Sequence, residues 1–157
     1  WSSARVSNLS INGRLIGEFG LNAAICGQYN VPVLMVSGDQ SVCAEAKEWV
    51  PDVEAVQVKQ ANGRLAGLVL APAVAQEKIR VGAESAVKRF LAGKGPAVLK
   101  TSTPVAVTVE FFHSNMADMA SLLPGATRLD GRRIEYTAPD MVTAFRNFRA
   151  AVNLVSI

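Results

Sequence analysis

The stretch Val31-Pro32-Val33-Leu34-Met35-Val36, followed by Ser37-Gly38-Asp39, decides the fold class. Its first six residues are all apolar, so a strand formed by them would be apolar on both faces. Such a run is typical of a central strand in a parallel sheet, which helices cover on each face. The following Ser-Gly-Asp predicts a turn, and Asp39 or Ser41 can cap a helix that runs to about Val50.

The segments on either side continue an alternation of strand and helix. Before the run, residues 6–11 predict a strand that ends at the turn Asn12–Gly13, and residues 18–29 predict a helix. After it, residues 53–59 predict a strand, and residues 65–71 are apolar but of uncertain type. A long helix follows over about 73–92, with one apolar stripe formed by Ala75, Ile79, Ala83, Val87 and Phe90. This alternation predicts an α/β domain over residues 1–95, layered, with a mostly parallel sheet and flanking helices.

The pattern changes at the Gly- and Pro-containing junction 92–96. Beyond it, residues 105–111 alternate between apolar and polar, which predicts a half-buried strand. Two short strands are expected around Asp130–Gly131, and Pro139–Asp140 starts a last helix. One face of that helix carries Met141, Phe145, Phe148, Val152 and Val155. Residues 96–157 are therefore expected to form a smaller α+β C-terminal part.

Composition narrows the class of protein. Half of the 157 residues are hydrophobic and only 18% are charged, which indicates a globular chain. The 16 basic and 13 acidic residues are spread along the sequence, so we expect no nucleic-acid partner. No apolar run approaches the roughly 18 residues of a membrane span, so we expect no membrane association. Cys26 and Cys43 lie among small and apolar residues on expected helices, which favours buried, reduced thiols and a cytoplasmic location.

Glu18 is the most informative candidate for chemistry. It lies between Gly17 and Gly20 where a turn runs into a helix, and the glycines remove side-chain bulk around its carboxylate. In the first helical turn, the positive end of the helix dipole is favourable for a negative charge. Such a group can bind a metal or move a proton. The alternative is an ordinary helix-start glutamate beside flexible glycines, and spacing alone favours this alternative.

The other candidates are weaker. His113, the only histidine, follows an expected strand, where a structural or solvent-facing role is more common than catalysis. The Ser37–Asp39 turn lies at the carboxyl end of a strand, where α/β proteins often bind ligands, but it can equally be a capped turn. Lys59 and Arg64 can meet an anionic group or can be surface cations. From the residues alone, no complete active site emerges.

The run from Asn12 to Ala24 resembles the family of zinc-dependent D-aminopeptidases encoded in bacterial dipeptide-transport operons. Similar segments follow in order through nearly the whole chain: Val31–Val33, Ser37–Asp39, Val42–Cys43, Lys59 with Arg64, Ala75–Ile79, Val109–Phe111 and Leu129–Arg132.

The resemblance implies a bridged two-zinc peptidase that removes N-terminal D-amino acids from short peptides. It also implies a ring-like homo-oligomer whose sites face an internal chamber. The glutamate of the family's Gly-Glu-x-Gly segment is a zinc ligand, and this role transfers to Glu18. The other ligands (an Asp-x-Glu pair and two histidines) and the family's catalytic histidine are expected upstream of Trp1, in an N-terminal part that is absent here. His113 matches no ligand position, so the sequence assigns no catalytic residue, and the substrate-binding residues are unknown.

Two alternatives to a peptidase stay open. The chain can be a non-catalytic fragment or scaffold of that family, which keeps the fold and the oligomer surfaces. Less expected is a small-ligand-binding α/β module that uses the Ser37–Asp39 crevice.

Overall fold

The computed structural model describes residues 2–155. Their elements, in chain order, are β1 (Val6–Ile11), β2 (Arg14–Leu15), α1 (Glu18–Gln28), β3 (Met35–Gly38), α2 (Gln40–Trp49), β4 (Glu54–Gln57), β5 (Lys59–Ala61), β6 (Gly67–Val69), α3 (Pro72–Leu91), β7 (Val105–Phe111), α4 (Ser114–Ala120), β8 (Thr127–Arg128), β9 (Arg133–Ala138) and α5 (Met141–Leu154).

The chain forms two compact units. The first combines the residues up to Gln28 with those from Lys100 onward, and the second comprises Tyr29–Leu99. This division differs from the expected boundary between residues 95 and 96, because β1, near the N-terminus, pairs with β7 of the C-terminal part. A strand's periodicity does not reveal which distant strand it pairs with, so the sequence pattern could not show this association.

The first unit is built on a five-stranded sheet with the order β2-β1-β7-β9-β8. Every pairing in it is antiparallel. The expectation of a mostly parallel sheet is therefore wrong for the largest sheet. The reason is visible in β7, whose residues alternate between fully buried and half-buried, as in an antiparallel sheet with one face in a core. The fold class is a mixed α/β fold.

Helices α4 and α5 both contact β7 and β9 and supply the core of the first unit. The inward face of β7 is wholly buried, and α5 adds Phe148 and Met141, each 1% exposed. The capping residue of α5 is Asp140, whose carboxylate accepts the Thr143 N–H at 2.7 Å. The predicted last helix is confirmed in position, although Phe145 is only half-buried and Ala144 and Ala151 complete the buried face.

The second unit contains two small sheets. Strands β3 and β4 pair in parallel, and both α2 and α3 contact them. Here the parallel arrangement expected from the apolar run is confirmed, but β3 begins only at Met35 and its residues are half-buried or exposed. Helix α3 faces β4 with Gly82 and Ala86, whereas Val87 and Phe90 of the predicted stripe are 48% and 46% exposed. Strands β5 and β6 form an antiparallel hairpin.

None of the helices within residues 2–155 combines the length and the apolar character needed to cross a membrane.

Candidate functional site

Glu18 is held by a short hairpin and by two buried neighbours in the sequence. Strands β1 and β2 join through Asn12 and Gly13, which have φ angles of 50° and 78°. Positive φ at both central residues is the geometry that an Asn-Gly turn favours. Ile16, 5% exposed, donates its N–H to the Leu9 carbonyl at 2.9 Å and fixes the chain as it enters α1.

The backbone of α1 is anchored while the Glu18 side chain is exposed. Phe19 and Leu21 are buried, and the Leu21 N–H donates to the Gly17 carbonyl at 3.1 Å. Glu18 is the acidic residue of the first turn, where a negative charge interacts favourably with the helix dipole. The predicted position of Glu18 at the helix start is thus confirmed. The arrangement presents a hard oxygen donor on a rigid helix terminus.

The described part of the chain does not complete a metal centre around this carboxylate. Within residues 2–155, no three His, Cys, Asp or Glu side chains lie close enough together to hold a metal ion. A zinc site in proteins uses three or four protein ligands. Glu18 fits the chemistry of one ligand, and the donors present do not fit a whole site, so no catalytic step through zinc follows from these residues.

His113 lies at the N-cap position of α4 and is exposed. Its side chain makes no capping hydrogen bond, and its carbonyl accepts the Met116 N–H at 3.2 Å. This is the strand-end position that the sequence indicated. His113 therefore lies at a helix start, and this position does not identify it as a metal ligand or a catalytic base.

Asp39 caps α2, as expected from the interpretation of Ser37–Asp39 as a capped turn. Its Oδ1 accepts the N–H groups of Ser41 and Val42, each at 3.0 Å. Nearby, burial and the proximity of Asp39 raise the pKa of the Cys43 thiol, which makes the thiolate less available. Both Cys43 and Cys26 are free thiols, and each is half-buried, whereas the sequence predicted that they would be buried. The Ser37–Asp39 turn therefore has a sufficient structural role as a helix cap.

The two predicted cations lie on the hairpin of the second unit. Lys59 is in β5 and Arg64 is in the loop that leads to β6, and both are exposed. They share one hairpin, and their exposed positions are compatible with surface cations.

One polar cluster was not anticipated from the sequence. Glu110 accepts hydrogen bonds from Asn8 and Arg132, both at 2.8 Å, and so links β1, β7 and the residue before β9. Each carboxylate oxygen has a donor, which suits a structural link across the sheet better than a catalytic role. The only sequence signal was an acidic residue on the outward face of an alternating strand.

The fold is mixed α/β, and Glu18 presents an exposed carboxylate at the start of α1. Comparison with protein families matches residues 1–150 to peptidase family M55, described as D-aminopeptidase. The chain therefore belongs to the D-aminopeptidase family.

Individual relatives agree with this assignment. A D-aminopeptidase of Bacillus subtilis (strain 168) is 36% identical over 145 residues, covering 90% of this chain and 51% of the relative. A solved structure is described as the Zn-dependent D-aminopeptidase DppA from Bacillus subtilis, a self-compartmentalizing protease. It aligns with a TM-score of 0.85 and 32% identity over 96% of this chain and 54% of that one. The chain thus spans about half the length of these relatives.

Proposed function

We propose that this chain is the Glu18-bearing part of a zinc-dependent D-aminopeptidase, which hydrolyses N-terminal D-amino acids from short peptides. The observation that carries the proposal is the exposed Glu18 carboxylate on an anchored helix start, within a segment that the family match includes. Glu18 contributes one zinc ligand, and the remaining ligands come from outside residues 2–155.

A carboxylate suits this role because its anionic oxygens can bind one zinc ion or bridge two and offset their charge. Bound zinc supplies polarisation of the scissile carbonyl and lowers the pKa of a coordinated water. The contribution of this chain is to orient the carboxylate. Ile16 and Phe19 bury the backbone on both sides of Glu18, so the side chain stands on a fixed support. Two zinc ions per site are part of the proposal.

Assembly into a ring-like homo-oligomer belongs to the same proposal. The description of the solved relative as a self-compartmentalizing protease supports it. A closed compartment would admit short peptides and exclude larger substrates. We propose that the protein is located in the cytoplasm. The free Cys26 and Cys43 are compatible with a reducing environment.

A second candidate is a non-catalytic scaffold that keeps the fold and the oligomer surfaces of the family. It is favoured by one observation, the lack of any three-ligand cluster within residues 2–155. In this case the Glu18 carboxylate would serve only the helix terminus.

Peptide hydrolysis separates the two candidates. The purified protein is incubated with zinc and a dipeptide that begins with a D-residue, and with its L-enantiomer as the matched substrate. The peptidase proposal predicts release of the D-amino acid and preference for the D-substrate. It also predicts that Glu18→Gln lowers activity at least about tenfold, because mutating even a residue that only hydrogen-bonds to a metal ligand typically lowers metal affinity or activity 10- to 100-fold. Glu48→Gln, at an exposed helical glutamate of the second unit, should retain activity. Absence of hydrolysis in the wild type would favour the scaffold.

A further inference from the structure

The hairpin of β5 and β6 has two edges with different hydrogen bonding. The Asn62 N–H donates to the Ala66 carbonyl at 3.0 Å, and the Leu70 N–H donates to the Val58 carbonyl at 3.2 Å. In an antiparallel ladder, bonded pairs alternate with non-bonded pairs. The peptide groups of Ala61 on β5, and those of Gly67 and Val69 on β6, therefore point away from the hairpin.

The β5 edge is already closed by a side chain. Gln40 Nε2 donates to the Ala61 carbonyl at 2.9 Å, and Gln40 Oε1 accepts the Ala61 N–H at 2.9 Å. The Gln57 amide also donates to the Lys59 carbonyl at 3.1 Å. An amide side chain thus satisfies the backbone groups that a neighbouring strand would otherwise use.

The β6 edge is open within residues 2–155, since no strand other than β5 pairs with β6 there. Its sequence, Gly67-Leu68-Val69, contains no charge or proline, the usual features that protect an edge from pairing with another chain. Leu68 is 65% exposed and Val69 is 75% exposed, and Leu65 in the preceding loop is 96% exposed. These properties are typical of a strand that pairs with a partner.

We propose that β6 pairs antiparallel with β6 of a second copy of this chain, around a two-fold axis at Leu68. In this register Gly67 of each copy faces Val69 of the other copy. Both residues direct their peptide groups outward, so each of the two pairs exchanges two N–H···O bonds, four in total. The two Leu68 side chains meet as a non-hydrogen-bonded pair, in which Cβ atoms lie about 5 Å apart.

The side-chain pattern is compatible with this symmetry. Lys59 lies beside Val69 in the β5–β6 register. Across the two-fold axis, Val69 would lie beside Gly67 on β6 of the second copy, and Ala61 on β5 of that copy would come next in the same row. The two Lys59 side chains would therefore stand at opposite corners of a four-stranded sheet, and no like charges would face each other. Gly67 is required for the hairpin itself, since a Cβ there would lie 2.7 Å from the Gln60 carbonyl oxygen. A second copy of the chain fits this edge in register and charge.

The proposal rests on the homo-oligomeric part of the proposed function and gives that assembly one interface. Two variants test it. Leu68→Glu places two carboxylates across the axis, where like charges destabilise a cross-strand pair. Val69→Pro removes an outward N–H without removing a bond between β5 and β6. Leu91→Glu is the matched control, because Leu91 is also a leucine of the second unit and is 78% exposed.

The readouts are the native mass by light scattering across a concentration series and the exchange rates of individual amide hydrogens. We expect both variants to weaken self-association at least tenfold, and Leu91→Glu to behave as wild type. The amides of Gly67 and Val69 should be protected in the wild type and exchange rapidly in Leu68→Glu.

Three results would overturn the proposal: a monomeric wild type, unchanged association in both variants, or Gly67 and Val69 amides that stay protected in the dissociated Leu68→Glu variant because another segment covers them. Zinc content and peptide hydrolysis of the same samples are judged separately. A chain that associates through β6 without zinc would refute the peptidase and leave the interface standing.

Discussion

Asn12 and Ala106 are joined by two hydrogen bonds. The Asn12 N–H donates to the Ala106 carbonyl at 2.8 Å, and the Ala106 N–H donates to Asn12 Oδ1 at 2.8 Å. The Asn12 amide nitrogen also donates to the Ser102 carbonyl at 3.0 Å. The turn that leads toward Glu18 is therefore fixed to β7 by the backbone and the side chain of Asn12, a residue that also has a positive φ.

Asn12→Ala should reduce the free energy of unfolding by about 2 kcal/mol, because alanine is strained at positive φ and cannot make the side-chain bonds. Asn12→Gly removes the bonds and accepts the φ angle, so about 1 kcal/mol is expected. Urea unfolding of the three proteins gives the comparison. Equal losses in both variants would mean that the backbone conformation contributes nothing.

Gly82 of α3 should not tolerate a methyl group. A Cβ at this position would lie 2.4 Å from Val56 Cγ2. Alanine normally stabilises a helix interior by up to about 1 kcal/mol relative to glycine, but overpacking costs about 1–3 kcal/mol. We expect Gly82→Ala to lower stability in the wild type and to be neutral or stabilising in a Val56→Ala background. The same effect in both backgrounds would contradict the predicted clash.

Asp39 should act as a helix cap. Asp39→Ala is expected to cost about 1 kcal/mol of unfolding free energy, whereas Asp39→Ser should retain most of it, because serine also caps helices well. Thermal unfolding measures the difference. If both variants match wild type, the two hydrogen bonds to Asp39 do not stabilise α2. A small ligand whose affinity is unchanged by Asp39→Ala would remove the rationale for a binding crevice at this turn.

Asp130 should produce a pH dependence in the acid range. Two hydrogen bonds lower the pKa of this carboxyl from 3.8 to about 2: the backbone N–H of Arg132 has the larger effect, and the Arg133 side chain has the next largest. A lowered pKa means that the stabilisation is fully present above about pH 4 and is lost as the pH falls toward 2.

The difference in unfolding free energy between wild type and Asp130→Asn should therefore be constant above pH 4 and should shrink between pH 4 and pH 2. Comparison with the variant cancels the contribution of Asp140, whose pKa is also lowered. A difference that does not change down to pH 2 would show that the bonds to Asp130 do not depend on its charge.

Local signals predicted local structure. Asp39 and Asp140 were identified as helix starts from short sequence patterns, and the Asn12–Gly13 turn has the expected positive φ angles. Residues 65–71 were ambiguous because a short apolar run is compatible with either strand or helix. They form the exposed strand β6 and its flanks, a placement that apolar composition alone did not indicate.

Long-range pairing could not be predicted in this way. The joining of β1 to β7 brings together segments about a hundred residues apart, and neither strand's alternation names its partner. The α3 stripe was misplaced because small residues, Gly82 and Ala86, allow the close approach to β4. For the site, the helix that begins at Glu18 was predictable from the helical period of the apolar residues that follow it, but no group of three metal-binding side chains occurs within residues 2–155.

The most direct test of the central claim is the zinc affinity of wild type and Glu18→Gln, measured by titration of the metal-free proteins. The wild type should bind zinc, and the variant should bind at least about tenfold more weakly. The stability of the metal-free variant should stay within about 1 kcal/mol of wild type, which is the effect expected for losing one exposed charge in the first turn of a helix. Equal zinc binding by both proteins, no zinc binding by either, or an equal loss of folding and binding would contradict the role of Glu18 as a zinc ligand.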